Sequence, residues 1–146
     1  MRTPIWHGNP DVSLVIRTDF DHEPQWARIR SAIEEPQTED GFTALVSFVD
    51  DRAYEGFTAA RLLEIAPADA SHSFAFLVDT VALTTPDQPI LVVKLGNEGQ
   101  GSLDGDTFRV VPSEMWSVQN NLSLANMDWA EFAAEVDRDG VFRGFP

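Results

Sequence analysis

Apolar residues cluster along this chain in two rhythms. Three runs are short and nearly continuous: Leu14-Val15-Ile16, Ala44-Leu45-Val46-Ser47-Phe48-Val49 and Phe74-Ala75-Phe76-Leu77-Val78. Such runs mark strands buried on both faces of a parallel sheet, and they predict strands over 12–18, 43–49 and 73–79. The second rhythm is helical. Trp26, Ile29 and Ile33 fall at i, i+3 and i+7 and predict a helix over 22–34, with Asp21 as its N-cap and Pro24 in its first turn. Thr58 is placed to cap a short helix over 59–66, with Phe57 and Leu62 at the positions of a hydrophobic staple and Pro67 as its stop. The order β-α-β-α-β calls for right-handed crossovers.

The second half changes character. Ile90-Leu91-Val92-Val93-Lys94-Leu95 and Thr107-Phe108-Arg109-Val110-Val111 read as two more strands, joined by a glycine-rich stretch over 96–106 that reads as a flexible hairpin loop. Ser113 is placed to cap a short helix that Asn120 and Asn121 end. Asp128 and Glu131 have capping-box spacing, Met127 can staple against Phe132, and Trp129, Phe132, Ala133 and Val136 continue at helical spacing towards a stop at Gly140. Phe142 or Phe145 is expected on the core, and residues 1–11 read as an irregular arm. The predicted architecture is a single α/β domain over 1–146. It is a two- or three-layer sandwich with a mixed sheet of about five strands, combining a parallel βαβαβ portion with an antiparallel hairpin and two C-terminal helices.

Composition narrows the classes. The 146 residues are 43% hydrophobic, enough for a packed core. No apolar stretch is long enough for a transmembrane helix, and the first residues carry no signal-peptide core, so a cytoplasmic location is the expectation. The absence of cysteine excludes disulfides, thiolate zinc sites and cysteine nucleophiles. With 24 acids against 10 bases the net charge is −14. That balance argues against nucleic acid and anionic membranes as partners and leaves a basic protein surface or a divalent cation.

Two stretches carry candidate chemistry. Each of the first three strands runs into aspartate: Asp19, with Asp21 beyond it, then Asp50-Asp51, then Asp79. Parallel neighbours would gather these carboxylates at the strand C-termini, where open α/β sheets bind ligands. Asp19, Asp21, Asp50 and Asp51 could then hold Mg²⁺, a cation that wants hard oxygen ligands, with His22 or Arg17 assisting. The second stretch, from Pro112 to Asp128, mixes Trp116, Gln119, Asn120 and Asn126, the residue types of a protein-recognition patch. No phosphate-binding loop and no nucleophile elbow occurs.

The segments Leu14-Val15-Ile16-Arg17-Thr18-Asp19-Phe20, Phe48-Val49-Asp50-Asp51, Pro112-Ser113-Glu114-Met115-Trp116 and Asp139-Gly140-Val141-Phe142-Arg143-Gly144-Phe145 resemble an uncharacterised family of actinobacterial proteins of unknown function. The resemblance implies a single bacterial domain and brings no activity or cofactor. The leading expectation is a non-enzymatic acidic interaction protein, of adaptor or immunity type. It would recognise a basic protein surface through Asp19, Asp50, Asp51, Trp116, Gln119, Asn120 and Asn126, with no cofactor. The alternative is a Mg²⁺-dependent hydrolase or transferase acting on a phosphorylated small molecule at the strand-end carboxylates.

Overall fold

The computed structural model describes residues 11–66, 72–95, 107–124 and 127–145. Most of the arm, the 96–106 loop and Asn126 lie outside them. The apolar runs form β1 (Ser13–Arg17), β2 (Val46–Val49) and β3 (Phe74–Val78), and the hairpin strands are β4 (Ile90–Lys94) and β5 (Thr107–Val110). A sixth strand, β6 (Val141–Phe142), joins them in one sheet of order β2-β1-β3-β4-β5-β6. β1 lies between β2 and β3 and is parallel to both, whereas β3, β4 and β5 run antiparallel in turn. β6 is parallel to β5.

The first crossover runs from β1 to β2, and the second runs back from β2 past β1 to β3, so a right-handed rule puts their helices on opposite faces. They are found there. Helix α1 (Glu23–Glu34) buries Trp26, Ile29 and Ile33 in a cluster with Val15, Phe76 and Val92. Helix α2 (Ala59–Ile65) buries Leu62 against Leu14, Ile16 and Leu77 on the other face. The first face also carries α3 (Thr80–Thr84), α4 (Met115–Ser123) and α5 (Trp129–Ala133), through Leu83, Val118 and Phe132. The result is a three-layer sandwich, thick on one side and thin on the other.

Several local expectations are met. Thr58 caps α2 by accepting from Arg61 N–H at 3.2 Å. Glu131 accepts from Asp128 N–H at 3.0 Å at the start of α5. Others are corrected. The N-cap of α1 is His22, without a side-chain bond. Asp21 is exposed and gives its N–H to Asp19 instead, because the buried carboxylate two residues earlier is the better acceptor. Ser113 lies within a 3-10 turn (Pro112–Glu114) and caps nothing. Asn120 and Asn121 do not end their helix. Each turns its amide back to the carbonyl four residues earlier, Trp116 at 2.7 Å and Ser117 at 2.9 Å, so the side chains are satisfied inside α4. The last helix stops at Ala133, well before Gly140, which takes φ +81° in the turn into β6. Helix α3 was not anticipated: Asp79 caps it, accepting from Ala82 N–H at 3.0 Å.

Candidate functional site

The C-terminal edge of the parallel strands was the first place indicated by the sequence. β1, β2 and β3 do end together, and the strand order reverses between β1 and β3. Asp19, Asp50, Asp51 and Asp79 are each already engaged there, whereas Asp21 contributes only its backbone N–H. Asp19 is buried, 9% exposed. It accepts from Asp21 N–H at 2.8 Å, from the Thr80 hydroxyl, and from His22 Nδ1 at 2.9 Å. Burial alone would raise its pKa, but these three bonds outweigh it and hold the carboxyl below its ordinary 3.8. An ionised carboxylate only accepts, so Nδ1 of His22 carries the proton.

Arg17 is 2% exposed at the end of β1. It reaches Glu23, Asp50 at 3.2 Å and the Asp19 carbonyl at 3.1 Å, and its guanidinium lies 4.4 Å from the Phe20 ring centre. Asp51 accepts from Ala53 N–H at 2.9 Å and caps a 3-10 turn (Arg52–Tyr54). Asp79 forms a two-pronged pair with Arg109 at 2.8 and 3.0 Å. Among the described residues no group of three or more histidines or acids is arranged to hold a metal ion. The edge is knitted by internal ion pairs.

That geometry sets a pH dependence. Asp19 has a lowered folded pKa, so its stabilising contribution is complete above its ordinary value near 3.8 and is lost as pH falls through the lower folded value. Asp19→Asn should destabilise the protein by about 1–3 kcal/mol at pH 7, since hydrogen bonds to a charged acceptor are lost. Urea unfolding should show the gap between wild type and variant closing below about pH 4.

The second indicated place has a different geometry. Gln119 is 0% exposed. Its Oε1 accepts from Leu45 N–H at 2.8 Å, and its Nε2 donates to the Asp11 carbonyl at 2.9 Å and Ser13 Oγ at 3.2 Å. One side chain thus ties α4 to the entries of β1 and β2. Asn120 donates to the Thr43 carbonyl at 3.3 Å. Gln37 accepts from Trp116 N–H at 2.8 Å and donates to the Ile33 carbonyl at 3.0 Å. Three amides therefore fasten the 37–45 segment along α4, and they set Phe42 on Trp116. The rings stack with centres 5.6 Å apart and planes 13° from parallel.

Phe42 remains 52% exposed, as does Leu45. A family described as a domain of unknown function (DUF6924) matches residues 12–145. The chain belongs to this family. No curated protein matches it. In this DUF6924 domain the acids nearest the stack in sequence are Glu39 and Asp40, both exposed and just before Phe42, and Glu114, two residues before Trp116. Burial pushes the Glu114 carboxyl up, against a hydrogen bond from the Trp116 side chain. Gln37 also lines an open cleft of about 580 Å³ with Glu35, Asp87 and Ser113. Meanwhile Arg17, Arg30, Arg52, Arg61, Arg109 and Arg143 each lie within ion-pair distance of a carboxylate, so most cations of the domain are spent internally.

The sequence singled out Trp116, Gln119 and Asn120 but not what they do. Gln119 and Asn120 position the surface, and Trp116 is half of it. Phe42, the other half, went unnoticed because it lies in a loop without periodicity. Its signal was an unpaired aromatic directly after Glu39-Asp40-Gly41. No helix among the described residues is long and apolar enough to cross a membrane.

Proposed function

We propose that the protein is a binding module for a cationic segment of a protein partner, received on the Phe42–Trp116 stack. The observation that carries this reading is a half-exposed aromatic pair, fixed by amide hydrogen bonds and with Glu39, Asp40 and Glu114 close to it in sequence, on a chain of net charge −14. Stacking covers one face of each ring and leaves the exposed side of Phe42 for an arginine or lysine, which a ring face attracts. Neighbouring acids would draw such a segment in and fix its register. Gln119 and Asn120 act beneath this surface and keep it preorganised, so little ordering cost falls on binding. The same reading extends to a cytoplasmic setting and an actinobacterial kinship, and it gives Asp19 and Asp79 a structural role.

The test is a titration with arginine- and lysine-rich oligopeptides followed by tryptophan fluorescence. Phe42→Ala removes an exposed ring and should leave the fold intact. Affinity should fall by about tenfold, the scale of one good cation–aromatic contact in a partly desolvated site. Raising the salt to about 0.5 M should also weaken wild-type binding, because the approach is electrostatic. Affinity that responds to neither change would refute the reading.

A further inference from the structure

The two edges of the sheet are finished differently. At the β6 edge, Val141 points its N–H and carbonyl away from β5. Both are taken by its own turn: Asp139 Oδ1 accepts from Val141 N–H at 3.2 Å, and Asp137 N–H donates to the Val141 carbonyl at 2.9 Å. That edge is closed. At the other edge, β2 bonds to β1 through alternate residues only. Ser13 N–H donates to the Leu45 carbonyl at 2.9 Å, and Ser13 pairs in register with Val46. In a parallel ladder this phase turns the N–H and carbonyl of Val46 and Phe48 outward. No hydrogen bond among the described residues meets these four groups.

Open edges are normally blunted by charge, proline or a bulge. The β2 sequence, Val46-Ser47-Phe48-Val49, has no charge and no proline. Its flanks do carry charge. Glu39-Asp40 precede it by way of Phe42 and Leu45, and Asp50-Asp51 follow it directly. Asp50 and Glu23 share Arg17, and Arg52 also acts on Glu23; with Asp51 the three carboxylates still outnumber these two cations. The residues between the two acidic pairs, 41–49, extend over at most about 30 Å.

We infer that the cationic segment adds to β2 as a further strand of the sheet. This rests on the binding role proposed above and specifies its geometry. The partner's backbone pairs with Val46 and Phe48. Basic residues at the two ends of the segment face Glu39-Asp40 and Asp50-Asp51, and one end passes over Phe42. Main-chain pairing supplies affinity, and the flanking charges supply register, the usual division in strand addition. The partner this fits is a stretch of alternating β-branched residues with arginine or lysine pairs at its ends. A second copy of this chain does not fit, since it would set acid against acid.

The probe is a thirteen-residue peptide of alternating valine and threonine with two arginines at each end; its counterpart carries glutamates instead. Amide hydrogen exchange of the wild-type protein is measured with each. The arginine peptide should slow exchange at Val46 and Phe48 by about tenfold or more, because exposed edge amides become paired, and the glutamate peptide should not. Val46→Pro deletes an outward N–H without breaking the bonds to β1, a position where an edge strand accepts proline. It should retain the fold and lose at least about tenfold in affinity. If the arginine peptide binds, quenches tryptophan and leaves exchange at Val46 and Phe48 unchanged, strand addition is wrong while the binding role stands. If it does not bind at low salt, both are overturned.

Discussion

Gln119→Leu is expected to destabilise the protein by about 2–4 kcal/mol and to abolish peptide binding at the Phe42–Trp116 surface. Leucine is close in size, so the loss is not mainly a cavity. Gln119 makes three hydrogen bonds at full burial, to Leu45 N–H, the Asp11 carbonyl and Ser13 Oγ. The variant leaves these groups to find water or stay unpaired, and each buried polar group left without a partner costs about 1–3 kcal/mol. The second effect is positional. Leu45 N–H is the anchor that holds the entry of β2 against α4, and Phe42 lies three residues before it. Released, the 37–45 segment keeps Asn120 and Gln37 as its ties to α4, and the ring stack loses its fixed register. Chemical denaturation measures the first effect and the peptide titration the second. A variant that is destabilised yet binds normally would separate the surface from its presumed support.

Phe132→Ala should have the largest purely structural effect, about 3–5 kcal/mol, the range for removing a fully buried phenylalanine. Phe132 is the centre of an aromatic cluster. Phe108 stacks at 6.3 Å, and Phe142 and Phe145 approach at 5.2 and 5.4 Å. It joins the short helix α5 to β5 and β6. The C-terminal segment depends on it a second time through Arg143, which binds Asp87, Asp137 and Asp139 at 2.7–2.8 Å. Those pairs are exposed and screened, so they do not hold the segment without the aromatic core. Thermal unfolding should therefore move far more for Phe132→Ala than for Arg143→Ala. The reverse order would show that the ion pairs, not the rings, retain β6.

What could be read in the sequence follows from how locally each element is encoded. β1 and β3 are legible because both faces are buried, so their central residues are all apolar. Helix α1 is legible because one face alone is buried. The second helix and the start of the last are marked by short-range caps, Thr58 and the Asp128–Glu131 pair. β6 was not legible: two residues have no periodicity, and their strand character comes from pairing with Arg109 and Val110, some thirty residues away. Helix α3 is five residues long, and its one local sign, Asp79, looks the same as a strand-end turn. Asn120 and Asn121 misled because their preference for helix ends assumes that the backbone is their competitor for hydrogen bonds; here they bond to carbonyls of the helix itself.

The candidate site was half legible for the same reason. Strand-end aspartates suggest a shared edge, and the strands do share one. Whether carboxylates there are open to a ligand depends on where arginines from distant segments fall. Arg17 and Arg109 occupy two of them, and Asp19 is filled by Thr80, sixty-one residues away. The amide residues of α4 drew attention through their chemistry. Their task, to hold a loop aromatic from another part of the chain in place, exists only once the chain is folded.

The central claim is that a cationic segment lies on Phe42 and Trp116 and runs along β2. It is met most directly by an NMR titration of the isotope-labelled protein with the arginine-flanked peptide at low salt. The account predicts shifts concentrated at the Trp116 indole N–H, at Phe42 and Leu45, and at the amides of Val46 through Asp51, with the remainder of the sheet unmoved. Shifts gathered instead at Asp19, His22 and Thr80, or no saturable shifts at all, would contradict it.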